Sequence, residues 1–102
     1  MTTETKRMVS NAISEVYEKT TGDYHFKEWA VVVPIKVRGY SKERTVNVVI
    51  TRIDNDYDSV YELRMNSDES PLVTVFGYWH RDYVADIFVR SIEHFYSIYE
   101  IK

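Results

Sequence analysis

The sequence predicts a single α+β domain in which a helix, a four-stranded antiparallel meander and a second helix follow one another along the chain. Amphipathic helical spacing marks both ends of the chain, and four β-type runs lie between them. The connectors between these runs are too short for the crossovers that parallel strands require. We therefore expect antiparallel hairpins, with both helices packed on one face of the sheet.

The first helix is predicted over residues 3–20, because six apolar residues fall on one stripe of that segment. Thr2 or Thr3 can cap its start, and Gly22 is placed to end it. Each large apolar side chain contributes roughly 1.5–3 kcal/mol when fully buried, so this stripe needs a surface to pack against. The stripe consists of Met8, Val9, Ala12, Ile13, Val16 and Tyr17.

The first three strands are predicted over residues 29–38, 44–53 and 59–65, each with alternating inner and outer positions. Pro34 cannot donate a ladder hydrogen bond, which predicts that the first strand is an edge strand or carries a bulge. The residues assigned to the inner face are Trp29, Val31, Val33, Ile35 and Val37 in the first strand, Val46, Val48 and Ile50 in the second, and Tyr61, Leu63 and Met65 in the third.

The fourth strand, predicted over residues 72–80, can be placed with either face inward. Val73 and Val75 compete with Leu72 and Phe76 for the inner face, because apolar residues occupy both sets of alternate positions. We favour the arrangement that leaves Phe76 and Tyr78 on the outer face.

The second helix is predicted over residues 82–100, where apolar residues form one broad arc. Asp82 is the expected N-cap, and Asp86 with Arg90 forms a favourable pair four residues apart. The arc consists of Val84, Ile87, Phe88, Ser91, Ile92, Phe95, Ile98 and Tyr99.

Length and composition fit one domain over residues 1–102. The absence of cysteine excludes disulfides and thiolate catalysis and is compatible with a reducing cytoplasm. No apolar run is long enough for a signal peptide or a membrane span. The formal net charge of -3 is too small to indicate a particular partner, so we expect a soluble cytoplasmic protein.

The sequence contains no motif for catalysis or for metal binding. Residues 54–58 resemble the first half of a calcium loop, but Ser59 stands where the glycine belongs and Met65 where the bidentate glutamate belongs. The three histidines do not have the spacing of a zinc site. We therefore expect no cofactor, no metal and no enzymatic activity.

Binding is the function that the sequence favours. If both helices cover the inner face, apolar side chains remain on the outer face, and such a patch is typical of an interface. We expect a protein-binding module that forms a homodimer through the face or the edge of its sheet, with an adaptor, inhibitor or immunity-type role such as phages and mobile elements encode. The alternative is that residues 23–28 or the last helix cover part of this face. The predicted partner-binding residues are Val32, Val49, Val60, Phe76, Tyr78, His80, Tyr83 and Tyr96.

Two other hypotheses stay open. The first hairpin is locally basic around an aromatic tip, which is typical of a surface that binds a nucleic acid or another anionic ligand. The second is a small enzyme or ligand-binding protein with a pocket between the sheet and the last helix, near His80, Asp82 and Tyr83. The residues of the basic hairpin are Lys36, Arg38, Tyr40, Lys42 and Arg44.

Overall fold

The computed structural model has the predicted order of two helices and four strands. It describes residues 3–22, 25–38, 43–55, 58–65, 70–77 and 80–101, and for residues 37, 38, 43, 44 and 96–101 it describes the backbone alone. The elements are α1 (Thr3–Thr21), β1 (Glu28–Arg38), β2 (Glu43–Asp54), β3 (Ser59–Met65), β4 (Val73–Phe76) and α2 (Arg81–Ile101).

The four strands form one antiparallel sheet in the order β1-β2-β3-β4, which confirms the predicted meander. β1 is an edge strand, and its pairing with β2 runs without interruption from Glu28 to Arg38. Pro34 is therefore accommodated by the edge position and not by a bulge.

Both helices lie on the same face of the sheet, as predicted. α1 packs against β1 and β2, and α2 packs against α1 and β4. Among the described residues, the buried core between these layers is mostly aliphatic and includes the aromatic side chains of Tyr61 and Phe88, with Trp29 and Phe95 packed against it. Its fully buried apolar members include Val9, Ile13, Val16, Ile35, Val48, Ile50, Tyr61, Leu63, Val84, Phe88 and Ile92.

The fourth strand has the predicted phase but is shorter than residues 72–80. Val73 and Val75 face the core, with Val75 opposite Tyr61, whereas Phe76 points outward. Gly77 follows with a φ of 94°, a left-handed conformation that favours glycine and ends the extended chain. Tyr78 lies outside the described residues.

The start of α2 differs from the prediction that Asp82 is the N-cap. The helix begins at Arg81, so that His80, two residues before Asp82, is the capping residue. The His80 carbonyl accepts hydrogen bonds from the amides of Tyr83 and Val84, and its Nδ1 accepts the amide of Asp82 at 3.2 Å. The imidazole thus satisfies an amide of the first turn that we had assigned to a carboxylate.

The end of α1 follows the prediction, and Gly22 is required there by a close approach. The Gly22 amide donates to the carbonyl of Glu18 at 2.8 Å, and a Cβ at this position would lie 2.7 Å from the same oxygen.

Gly22→Ala is therefore expected to lower the free energy of unfolding by roughly 1–2 kcal/mol, because the backbone must shift to relieve the overlap. Urea denaturation measures this loss. Asn11→Ala, at an exposed position of the same helix, is the matched control and is expected to leave stability unchanged or slightly raised. Equal stability of the Gly22→Ala variant and the parent would contradict the close approach.

Candidate partner-binding face and a buried arginine

The outer face of the sheet carries exposed apolar side chains at both of its edges. Val32 on β1 is 56% exposed, and Phe76 on β4 is 63% exposed. Ala30 and Pro34, which share the outer face of β1 with Val32, are exposed as well. These side chains are left uncovered because both helices pack on the opposite face.

The strand register joins these edges to apolar residues of the two central strands. Val32 lies opposite the half-buried Val49. At the other edge, Phe76 lies opposite Val60, which in turn lies opposite the half-buried Ile53. Apolar cross-strand pairs therefore extend inward from each edge of the face.

An ion pair occupies the centre of the outer face. The guanidinium of Arg64 contacts the carboxylate of Glu62 at 2.7 Å, and both side chains are partly buried. Thr51 lies opposite Glu62 in the register and is buried. The centre of this face is thus polar and contains an ion pair, whereas its edges are apolar and exposed.

The structure brings only some of the predicted partner-binding residues together. Val32, Val49, Val60 and Phe76 share the outer face, although Val60 is mostly covered by its neighbours. His80 and Tyr83 are exposed in the helix layer at the start of α2, away from that face. Tyr78 and the side chain of Tyr96 lie outside the described residues.

The residues of the two alternative sites are described only in part. Lys36 is exposed on β1, whereas Tyr40 and Lys42 lie outside the described residues and Arg38 and Arg44 are described by their backbone alone.

Near the other alternative site, the His80 and Asp82 side chains are both mostly exposed, 3.6 Å apart. The surroundings of this pair are therefore largely solvent, which is unlike a typical catalytic pair in a closed pocket.

Arg52 is a feature of the inner face that the sequence reasoning missed. The inward alternation of Val46, Val48 and Ile50 continues to position 52, so an arginine enters the layer between sheet and helices. Its relative exposure is 2%. Because the guanidinium is always charged, its burial must be compensated by hydrogen bonds, charges or aromatic faces.

The partners of Arg52 come from α1 and β3. Its Nη1 donates a hydrogen bond of 2.5 Å to Thr20 Oγ1, close to the carbonyl end of α1, where the helix dipole favours a cation. Its Cζ lies 5.3 Å from the ring centroid of Tyr17 and 5.4 Å from that of Tyr61. Arg81 of α2 also stacks on Tyr17, at 4.9 Å, so two guanidinium groups share one ring.

The charge of Arg52 is only loosely neutralised. Among the described residues, Arg52 forms an ion pair with Asp54. The Oδ1 of Asp54 lies 3.6 Å from Nη2, which is too far for a hydrogen bond. The other oxygen of Asp54 lies 2.7 Å from Nε2 of His25, a residue with a φ of 39°. The Nε of Arg52 is buried and has no hydrogen-bond partner among the described residues.

Tyr61 stays uncharged beside this arginine. Burial raises the pKa of the Tyr61 phenol above its ordinary value, and the nearby positive charge of Arg52 offsets part of that increase. The phenol is therefore protonated at neutral pH and stabilises Arg52 through its ring rather than through a negative charge.

The described part of the chain contains no cluster of three or more His, Asp or Glu side chains arranged to hold a metal ion. None of its helices is both long and apolar enough to cross a membrane. The carboxylate of Asp54, which belongs to the calcium-loop-like segment, is oriented toward His25 and Arg52.

The chain is a small α+β domain in which two helices cover one face of an antiparallel sheet. Comparison of the chain with protein-family models, with curated proteins and with solved structures finds no match. The function of the chain is therefore inferred from the geometry of these two sites.

Proposed function

We propose that this chain is a protein-binding module that uses the outer face of its sheet to bind a second copy of itself. The observation that carries the proposal is the exposure of Val32 and Phe76 at opposite edges of one sheet face. Exposed apolar side chains on a sheet face are typical of an interface. Packing of a second sheet against that face would bury them.

The charges of the outer face suit a second copy as the partner. Among its described side chains, Glu28 and Glu62 are balanced by Lys36 and Arg64, so two such faces do not repel each other. Glu28 and Lys36 lie at opposite ends of the outward side of β1. A two-fold axis that sets the β1 strands of the two copies antiparallel would pair each Glu28 with Lys36 of the other copy.

The edges of the sheet favour contact through the face and not through strand addition. Pro34 removes one donor from edge strand β1, and the opposite edge strand, β4, has only four residues. A proline in an edge strand and a short edge strand both weaken pairing between the edges of two sheets.

In this proposal the protein has no chemistry of its own and works in the cytoplasm as an adaptor, inhibitor or immunity-type protein. Its cysteine-free composition is compatible with a reducing compartment. A dimer that covers the apolar edges would present the helix layers of both copies outward, where a further protein could bind.

Val32→Asp and Phe76→Asp are expected to abolish self-association, since each places a charge in an apolar contact that excludes water. Both side chains are exposed in the single chain, so the cost to folding is expected to be below about 0.5 kcal/mol. Sedimentation velocity measures association, and circular dichroism confirms retained helix content.

Asn11→Asp is the matched control, because it adds the same charge at an exposed position of the helix layer. It is expected to associate like the parent protein. Association that survives both Val32→Asp and Phe76→Asp would show that the outer face is not the interface.

A further inference from the structure

The geometry points to a binding site for a phosphate-type oxyanion at the buried edge of Arg52. This inference is independent of the proposed self-association, because Arg52 lies on the inner face of the sheet. It follows from which nitrogen atoms of the guanidinium have a hydrogen-bond partner and which do not.

A guanidinium offers two pairs of parallel donors that match an oxyanion, and one of them consists of Nε and Nη2. In Arg52 the Nη1 is occupied by Thr20. On the Nε/Nη2 edge, Nε has no partner among the described residues, and Nη2 has only the distant contact with Asp54 at 3.6 Å. One donor of the edge best suited to bind an oxyanion, Nε, therefore has no hydrogen-bond partner among the described residues.

The surroundings of this edge favour an additional negative charge. Arg81 also stacks on the Tyr17 ring and adds a second guanidinium. Among the described residues, the carboxylate that contacts Arg52 is that of Asp54, which also contacts His25, and the phenol of Tyr61 is neutral. Two guanidinium groups on one tyrosine ring and one carboxylate shared with His25 leave an excess of positive charge in a partly desolvated place, where electrostatic attraction is strong.

Tyr17 controls access to the site in this proposal. Its ring lies against the guanidinium of Arg52, yet 38% of the residue is exposed. In this proposal a rotation of this side chain toward solvent uncovers the guanidinium of Arg52, on which the ring is stacked, and leaves both guanidinium groups available to the same ligand. Free phosphate and the phosphate group of a small organic molecule offer the same oxygens, so the test includes both.

The test is a titration of the unmodified protein with inorganic phosphate at constant ionic strength. Binding is monitored through the arginine Nε–Hε signals in ¹H–¹⁵N NMR spectra. The Arg52 signal is expected to shift saturably, with a dissociation constant on the order of 1 mM. Arg90, which is exposed and paired with Asp86, provides the internal control and is expected to stay unshifted. Phenyl phosphate provides the second arm, and tighter binding than inorganic phosphate would assign an organic ester as the ligand.

Three variants that retain Arg52 test the contribution of its neighbours to phosphate binding. Arg81→Gln is expected to weaken phosphate binding roughly five- to tenfold, because it removes one of the two cations. Asp54→Asn is expected to strengthen binding several-fold by removing the competing carboxylate, and Tyr17→Ala is expected to strengthen it by opening access. An Arg52 signal that does not move in up to about 100 mM phosphate, in the parent and in Tyr17→Ala, would overturn the inference.

Discussion

Val33→Asp is expected to unfold the domain, whereas the same substitution at the neighbouring Val32 is expected to leave it folded. The two valines are adjacent on β1 but point to opposite faces, with Val33 only 3% exposed and Val32 56% exposed. A carboxylate at position 33 would be buried among apolar side chains without a partner, which costs more than about 4 kcal/mol. That loss is comparable with the whole stability of a small domain, about 5–15 kcal/mol.

Circular dichroism and urea denaturation of the two variants measure this difference directly. Val75→Asp and Phe76→Asp repeat the comparison on β4, where Val75 is buried and Phe76 is exposed. A folded Val33→Asp protein, or an unfolded Val32→Asp protein, would mean that the inner and outer faces have been assigned the wrong way round.

The second large effect is expected at Arg52, where the result depends on the shape of the replacement. Arg52→Ala removes a buried side chain, its hydrogen bond to Thr20 and its contacts with two tyrosine rings. We expect a loss of about 2–4 kcal/mol from the cavity and the lost contacts. Arg52→Met retains most of the aliphatic volume and removes a charge that is only loosely neutralised, so its stability is expected to lie within about 1 kcal/mol of the parent.

Urea denaturation in phosphate-free chloride buffer compares these two variants with the parent protein. The difference in the free energy of unfolding between Arg52→Ala and Arg52→Met separates the effect of side-chain packing from the effect of the charge. If methionine were as costly as alanine, the charge itself would stabilise the fold, and the description of Arg52 as incompletely satisfied would be incorrect.

The strands were predictable where one face is apolar and the other is not. In β3, Tyr61 and Leu63 alternate with Glu62 and Arg64, and the predicted bounds of this strand are those observed. The fourth strand was ambiguous because apolar residues occupy both of its faces. Its phase is fixed by pairing with β3, which places Val75 beside Tyr61 and leaves Phe76 outside.

The candidate sites were less predictable because they depend on contacts between distant segments. Arg52 follows the inward alternation of its strand, but a charged residue is normally assigned outward, and only the contacts with Thr20 and Tyr17 explain its burial. The pairing of His25 with Asp54 joins residues far apart in the chain, and no local spacing indicates it.

The cap of α2 shows a smaller failure of the same kind. A carboxylate is a common N-cap, which favours Asp82, but the helix begins at Arg81 and places His80 at the cap, two residues earlier. A shift of one or two residues in a helix start changes which side chain can reach the free amides.

If the uncovered sheet face binds a second copy of the chain, the unmodified protein forms dimers, and its native mass shows them. Sedimentation equilibrium from about 1 to 100 μM covers the affinities expected of a modest interface. We expect an average mass that rises with concentration toward twice the 12.1 kDa of one chain. A mass that remains at 12.1 kDa over the whole range would show that this face does not bind a second copy.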